Sequence, residues 1–164
     1  MNEIISPDNT ELLKKILSDE KMLSYVEKAE EIQAHIGSLP QVELPIFHHF
    51  APNVYMRQMD APAGAIVVSK MHRTEHMNIL LKGSLTVVTE DGIQFLKAPL
   101  IIKSEAGTKR IGYFHEDSSW VTVHPTELTN IDEIEAQVIV PESEIQEFLK
   151  SLPTKENALC HGEQ

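Results

Sequence analysis

The sequence predicts a mainly β protein: a closed or sandwiched antiparallel barrel set between helical ends. Three observations lead there. The middle of the chain breaks into short β-branched or apolar runs (AIVVS, NILL, SLTVVT, PLIIKS, WVTV) separated by turn residues. Within it, TEDGIQF places Asp91 and Gly92 between alternating flanks, the pattern of a tight hairpin. On either side, apolar residues recur every three or four positions, which is the helical period.

At 164 residues the chain is long enough for one domain with a substantial core and too short for two ordinary ones. Residues 1–40 form the predicted helical extension. From Thr10 to about Gly37 its stripe runs Leu13, Ile16, Leu17, Met22, Val26, Ala29, Ile32 and Ile36, with a break near Ser18 and Asp19. Gly37 tolerates a left-handed cap and Pro40 cannot continue a helix, so the segment stops there. Residues 41–129 form the predicted barrel of about eight strands, entered through a linker between Pro40 and Pro45. Residues 130–164 return to helix in NIDEIEAQVI and ESEIQEFLKSL, where Ile145, Phe148 and Leu149 make one stripe, before a polar tail.

Composition removes several functions. Cys160 is the only cysteine, so no internal disulfide forms and a metal site must be built from His, Asp or Glu. A formal charge of -11 repels phosphate backbones and argues against a nucleic-acid partner. No stretch is apolar enough to span a bilayer, and MNEIISPDNTELLKK lacks a signal core, so the expected location is the cytoplasm, without a membrane partner. Glycine-rich phosphate loops are absent, and His72 is followed by Arg73 rather than the Glu of a HExxH metalloprotease helix.

From Gly64 to Gly83 the chain reads GAIVVSKMHRTEHMNILLKG. These intervals resemble the first motif of the cupin superfamily, with Lys70 where its first His stands, His72 at its second and His76 where its Glu stands. Pro99, Glu105, Gly107, Arg110 and Phe114 fall at the intervals of the second motif, and 15 residues separate Gly83 from Pro99. HHFAPNVYMRQM, AGTKR and SSWVTVHPTE extend the likeness to small cupin-like proteins of bacteriophages and prophages. The resemblance implies a cupin-type jelly roll. It also implies that such positions hold a divalent metal, and that family members pair as dimers through barrel edges.

Strand alternation puts Lys70 and His72 on one face, and His76, Asn78 and Leu80 on one face of the next run, so that neighbouring strands are expected to bring His72 and His76 together inside the barrel. His124, ending WVTVH, is the expected third imidazole, with Glu75 as the fallback donor. Imidazoles suit Fe, Ni, Mn or Zn. Lys70 and Arg110 donate no lone pair and repel a cation, so the same pocket also suits a carboxylate or phosphate with no metal. A third possibility is that both simply extend into water at the barrel mouth. His48 and His49 are expected in packing or surface roles, His115 in a solvated turn, and Trp120 in the core or an interface.

Three functions stay open at this stage. One is a protein binding a small polar or anionic molecule; another is a metal-dependent enzyme of the oxygenase or isomerase class using His72, His76 and His124. The third is a phage structural or assembly protein. The helical stripes need a covering surface, either the barrel itself or a second chain, and the expected assembly is a homodimer to which the amino-terminal helices contribute.

Overall fold

The computed structural model describes residues 25–153 and the backbone of a short strand at residues 3–5. The element order is β1 (Glu3–Ile5), α1 (Tyr25–Gly37), β2 (Ile46–Ala51), β3 (Val54–Ala61), β4 (Ile66–Val68), β5 (His76–Lys82) and β6 (Ser84–Thr89). There follow β7 (Gly92–Lys97), β8 (Leu100–Ser104), β9 (Ile111–Phe114), β10 (Ser118–Pro125), α2 (Ile131–Val138), a 3-10 turn (Glu142–Glu144) and α3 (Ile145–Ser151). Among the described residues the strands form two five-stranded sheets, ordered β1-β4-β9-β6-β7 and β2-β3-β10-β5-β8. Every pairing is antiparallel.

The two sheets face each other because alternate residues of their strands are apolar. Met59, Ala61, Val67, Leu80, Leu85, Val87, Leu96 and Phe114 meet in one buried cluster between them. Leu80 is wholly buried, and such burial contributes roughly 1.5–3 kcal/mol per large aliphatic side chain. The hairpin of β6 and β7 pairs Thr89 with Gly92, which leaves Glu90 and Asp91 as the two turn residues. Gly92 opens the following strand at φ 115°, so the turn lies one residue earlier than expected.

The helices cover the barrel's own surfaces. α1 lays Ala29 and Ile36 on Ile66, Val68 and Ile111 of the first sheet, with Tyr25 Oη donating to the Val88 carbonyl at 2.8 Å. In α2, the Asn130 side chain caps the helix by accepting from the Glu133 amide at 3.1 Å. That helix buries Ile134 and Val138 against Tyr55. In α3, Ile145 is buried with Val26, Met71 and Val140, and Phe148 and Leu149 flank them. The described parts of both stripes therefore fold back onto the same chain.

One feature departs from the sequence reading. Glu3–Ile5 is a strand paired with β4, where a helical extension was expected; three residues are too few to carry a period. Leu13, Ile16, Leu17, Met22, the expected break at Ser18 and Asp19, and Cys160 lie outside the described residues. No helix among the described residues is long and apolar enough to cross a membrane.

Candidate functional site

The register of the second sheet sets the inward side chains of four strands in rows. His124 pairs with Tyr55, and His76 with Ser104. Val123 pairs with Met77, which sets His124 beside His76 one step on, so Tyr55, His124, His76 and Ser104 form the outermost row. The next holds Arg57, Thr122, Asn78 and Ile102, and the deepest holds Met59, Trp120, Leu80 and Leu100. Polarity thus falls from the barrel mouth to its floor.

The middle row is tied together by Asn78, which is 2% exposed. Its amide nitrogen donates to Ser104 Oγ at 2.5 Å, and its oxygen accepts from Trp120 Nε1 and Thr122 Oγ1, both at 3.1 Å. Arg110 Nη1 reaches the same Ser104 oxygen at 2.7 Å. A buried amide that meets three partners is held in one orientation, which fixes the wall on which the imidazoles stand.

His72 enters from another direction. β4 ends at Val68, so Lys70 and His72 lie on an irregular segment rather than on the expected strand. Returning chain after α2 holds that segment: the Val140 amide donates to the Met71 carbonyl at 2.9 Å, the Arg73 amide to the Val138 carbonyl at 2.8 Å, and His72 bridges Ile139.

The three imidazoles converge. Ring centroids are 4.2 Å apart for His72 and His76, and 5.1 Å from each of these to His124. Burial, then the neighbouring His76, His124, Arg110 and Arg57, pushes His72 down to about 2. Burial, then His76 and Arg57, pushes His124 down to about 4. Burial also lowers His76, opposed by its contact with the Thr74 carbonyl and reinforced by Arg110. All three rings are therefore neutral near pH 7 and carry a lone pair. His76 Nδ1 donates to the Thr74 carbonyl at 3.1 Å, which leaves its Nε2 as the acceptor. His124 Nδ1 is buried with no hydrogen-bond partner in the structure.

The donor set fits a divalent ion in chemistry, and His124 stands at a suitable ring spacing, 5.1 Å, from both other imidazoles, whereas His72 and His76 are closer, at 4.2 Å. With metal–nitrogen bonds of about 2.0–2.1 Å, imidazoles sharing one ion have centroids roughly 4.5–5.2 Å apart. An orphaned nitrogen on His124 is the atom such an ion would satisfy. Among the described residues, however, no three His, Cys, Asp or Glu donors are already gathered tightly enough to hold an ion. The rings share a cavity without yet aiming three nitrogens at one point.

That cavity, of about 110 Å³, is lined by Lys70, His72, His76, Arg110 and His124 among others. Lys70 stands at its rim with Nζ 3.6 Å from a Glu135 carboxylate oxygen. Glu75 is a correction: it points to solvent, 64% exposed, and pairs with Lys103 at 3.3 Å. It follows the bend at Arg73 and Thr74 and immediately precedes β5, where His76 is the residue turned inward. Trp120 lines the cavity floor, and His48 is exposed, its Nδ1 2.8 Å from the Tyr55 hydroxyl.

Sequence reasoning missed Arg57, Glu135 and Tyr55, all of which line the cavity. VYMRQM does place Tyr55, Arg57 and Met59 on one face of a strand, but nothing local says that this face turns inward. Glu135 reaches the cavity only because α2 covers the barrel mouth.

No family model matches the chain, and no curated protein matches it. Solved structures do resemble it in part. A cupin family protein with a double-stranded β-helix fold from Methanocaldococcus jannaschii is 16% identical over 52% of this chain and 82% of its own, with TM-score 0.42. An acetylacetone dioxygenase from Acinetobacter johnsonii is 19% identical over 66% and 77%, with TM-score 0.42. The EutQ protein of Clostridium difficile is 10% identical over 51% and 68%, with TM-score 0.43. Two facing antiparallel sheets, with β4-β9-β6-β7 in one and β3-β10-β5-β8 in the other around an inward-lined mouth, make the chain's fold an antiparallel jelly roll.

Proposed function

We propose that the chain binds a small polar or anionic molecule inside the barrel, beside a divalent ion carried by His72, His76 and His124. The observation carrying this reading is the convergence of three neutral imidazoles from separate parts of the chain, one with a buried, unpartnered nitrogen. Iron, nickel and zinc suit such donors, while manganese would need oxygen donors beside them. When bound, an ion of this class supplies Lewis-acid or redox chemistry to a ligand, the basis for a metal-dependent enzyme of the oxygenase or isomerase class. Glu135 is the one carboxylate lining the cavity among the described residues, placed to exchange a proton with a ligand at the mouth.

Elemental analysis of protein purified without chelator tests the reading. About one ion per chain, lost in His72→Ala and in His124→Ala, is the expected result. Substoichiometric metal that these substitutions leave unchanged would remove the ion and leave an anion site built on Lys70 and Arg110. A purely structural role, as in a phage particle, predicts neither ion nor ligand.

The proposed assembly is a homodimer through the outer face of the second sheet. Phe47, Met77, Leu81 and Ile101 are 46%, 41%, 52% and 66% exposed on its strands. Ile101 pairs with the half-buried Ile79, which adjoins it on the same face. Such a face supports association with a second copy.

A further inference from the structure

We propose that the ligand is a compact dianion, such as a short dicarboxylate, held at one end by Arg57 and at the other by Arg110. This rests on reading the cavity as a ligand site, and it does not require the ion. The two guanidiniums come from opposite walls: Arg57 lies on β3 of one sheet, and Arg110 immediately precedes β9 of the other. The imidazole cluster lines the same cavity as both guanidiniums.

Charge balance sets the sign and size of the ligand's charge. Arg57, Lys70 and Arg110 line the cavity with Glu135 as the single described carboxylate, a surplus of two positive charges before any imidazole is counted. The chain as a whole carries -11, so this surplus is a local inversion. Glu135 is paired with Lys70 and its charge is also felt by Arg57, so one carboxylate is shared among three cationic side chains. Both guanidiniums are half-buried, and burial lowers the pKa of each. A guanidinium has five N–H donors. Arg110 uses one on Ser104 Oγ, and Arg57 makes no side-chain hydrogen bond to another described residue. Partly desolvated donors of this kind are stabilised by carboxylates, which accept two parallel bonds from one guanidinium.

Cavity size limits the spacer. About 110 Å³ is well below the roughly 300–1,000 Å³ of pockets for drug-sized ligands. Met59, Phe114 and Trp120 give the same cavity an apolar lining. A spacer of a few methylenes between two carboxylates matches that apolar lining.

Calorimetric titration of the full chain, as purified and again after chelator treatment, tests the proposal with malonate, succinate and glutarate against butyrate and succinamide. At least one diacid should bind tenfold or more tightly than both controls in one or both preparations. Arg57→Met and Arg110→Met should each remove that preference, with far-ultraviolet circular dichroism and melting temperature showing that the variants fold. If either Met variant fails to fold, Arg57→Lys and Arg110→Lys replace it and should cost at least fivefold. Diacid preference in a protein that carries no metal upholds the dianion site while removing the ion from the proposed function. Stoichiometric metal without diacid preference in either preparation overturns the dianion site and leaves the ion standing. A preference lost in only one arginine variant also overturns it, because the ligand would then be held at one end.

Discussion

His72 and His124 lie with ring centroids 5.1 Å apart and planes 21° from parallel, although one sits on an irregular segment after β4 and the other near the end of β10. Both are neutral near pH 7 because burial disfavours the imidazolium. Their proximity therefore costs no charge repulsion until protons are added.

Acid should destabilise the chelator-treated protein earlier than its carboxylates alone would. Each of these histidines has a folded pKa below the unfolded value of about 6.5, so the unfolded state binds more protons as pH falls. Stability is retained above about pH 6.5 and declines below it, by up to ~1.4 kcal/mol per pH unit for each histidine. For His124 the decline continues to about pH 4. Urea unfolding at pH 7.5, 6.5 and 5.5 should show the loss, and His124→Phe should reduce its slope; stability constant between pH 6.5 and 5.5 would contradict the buried neutral state.

Gly83→Ala should be severely destabilising. Gly83 joins β5 to β6 at φ +87°, and an added Cβ would lie 2.1 Å from Ser118 Oγ and 2.8 Å from the Asp117 carbonyl oxygen. A left-handed backbone and a collision with neighbouring main chain together cost roughly 3 kcal/mol or more. Thermal unfolding checks this; a change under about 1 kcal/mol would mean that the connection relaxes freely.

Asn78→Ala should lower stability by about 2 kcal/mol or more. It removes the acceptor shared by Trp120 and Thr122 and a donor to Ser104, and each buried group left unpaired costs about 1–3 kcal/mol. Urea midpoints measure the change. The Trp120 fluorescence of the folded variant should shift as its indole N–H loses this partner.

Light scattering at micromolar concentration should give twice the 18.5 kDa of one chain. The double substitution Met77→Glu and Ile101→Glu should return the mass to that of one chain, because both residues are exposed on the outer sheet face. A wild-type mass near 18.5 kDa would reject the dimer.

Local sequence determined the elements that depend on near neighbours. Period-two runs gave the strands, Asp91 and Gly92 marked the hairpin to within one residue, and Gly37 marked the end of α1. The spacing from Gly64 to Gly83 also singled out His72 and His76, and His124 was found from its place at the end of a strand. What the tertiary structure decided was which faces meet. Only closure of the barrel turns Arg57 inward in the same row as Thr122 and Asn78. Only the placement of α2 over the mouth brings Glu135 to Lys70, and only the bend after His72 turns Glu75 out towards Lys103 while His76 turns in. Periodicity assigns a side chain to one of two strand faces or to one helix stripe; which face is buried depends on contacts between residues far apart in the chain, and those have no local signature.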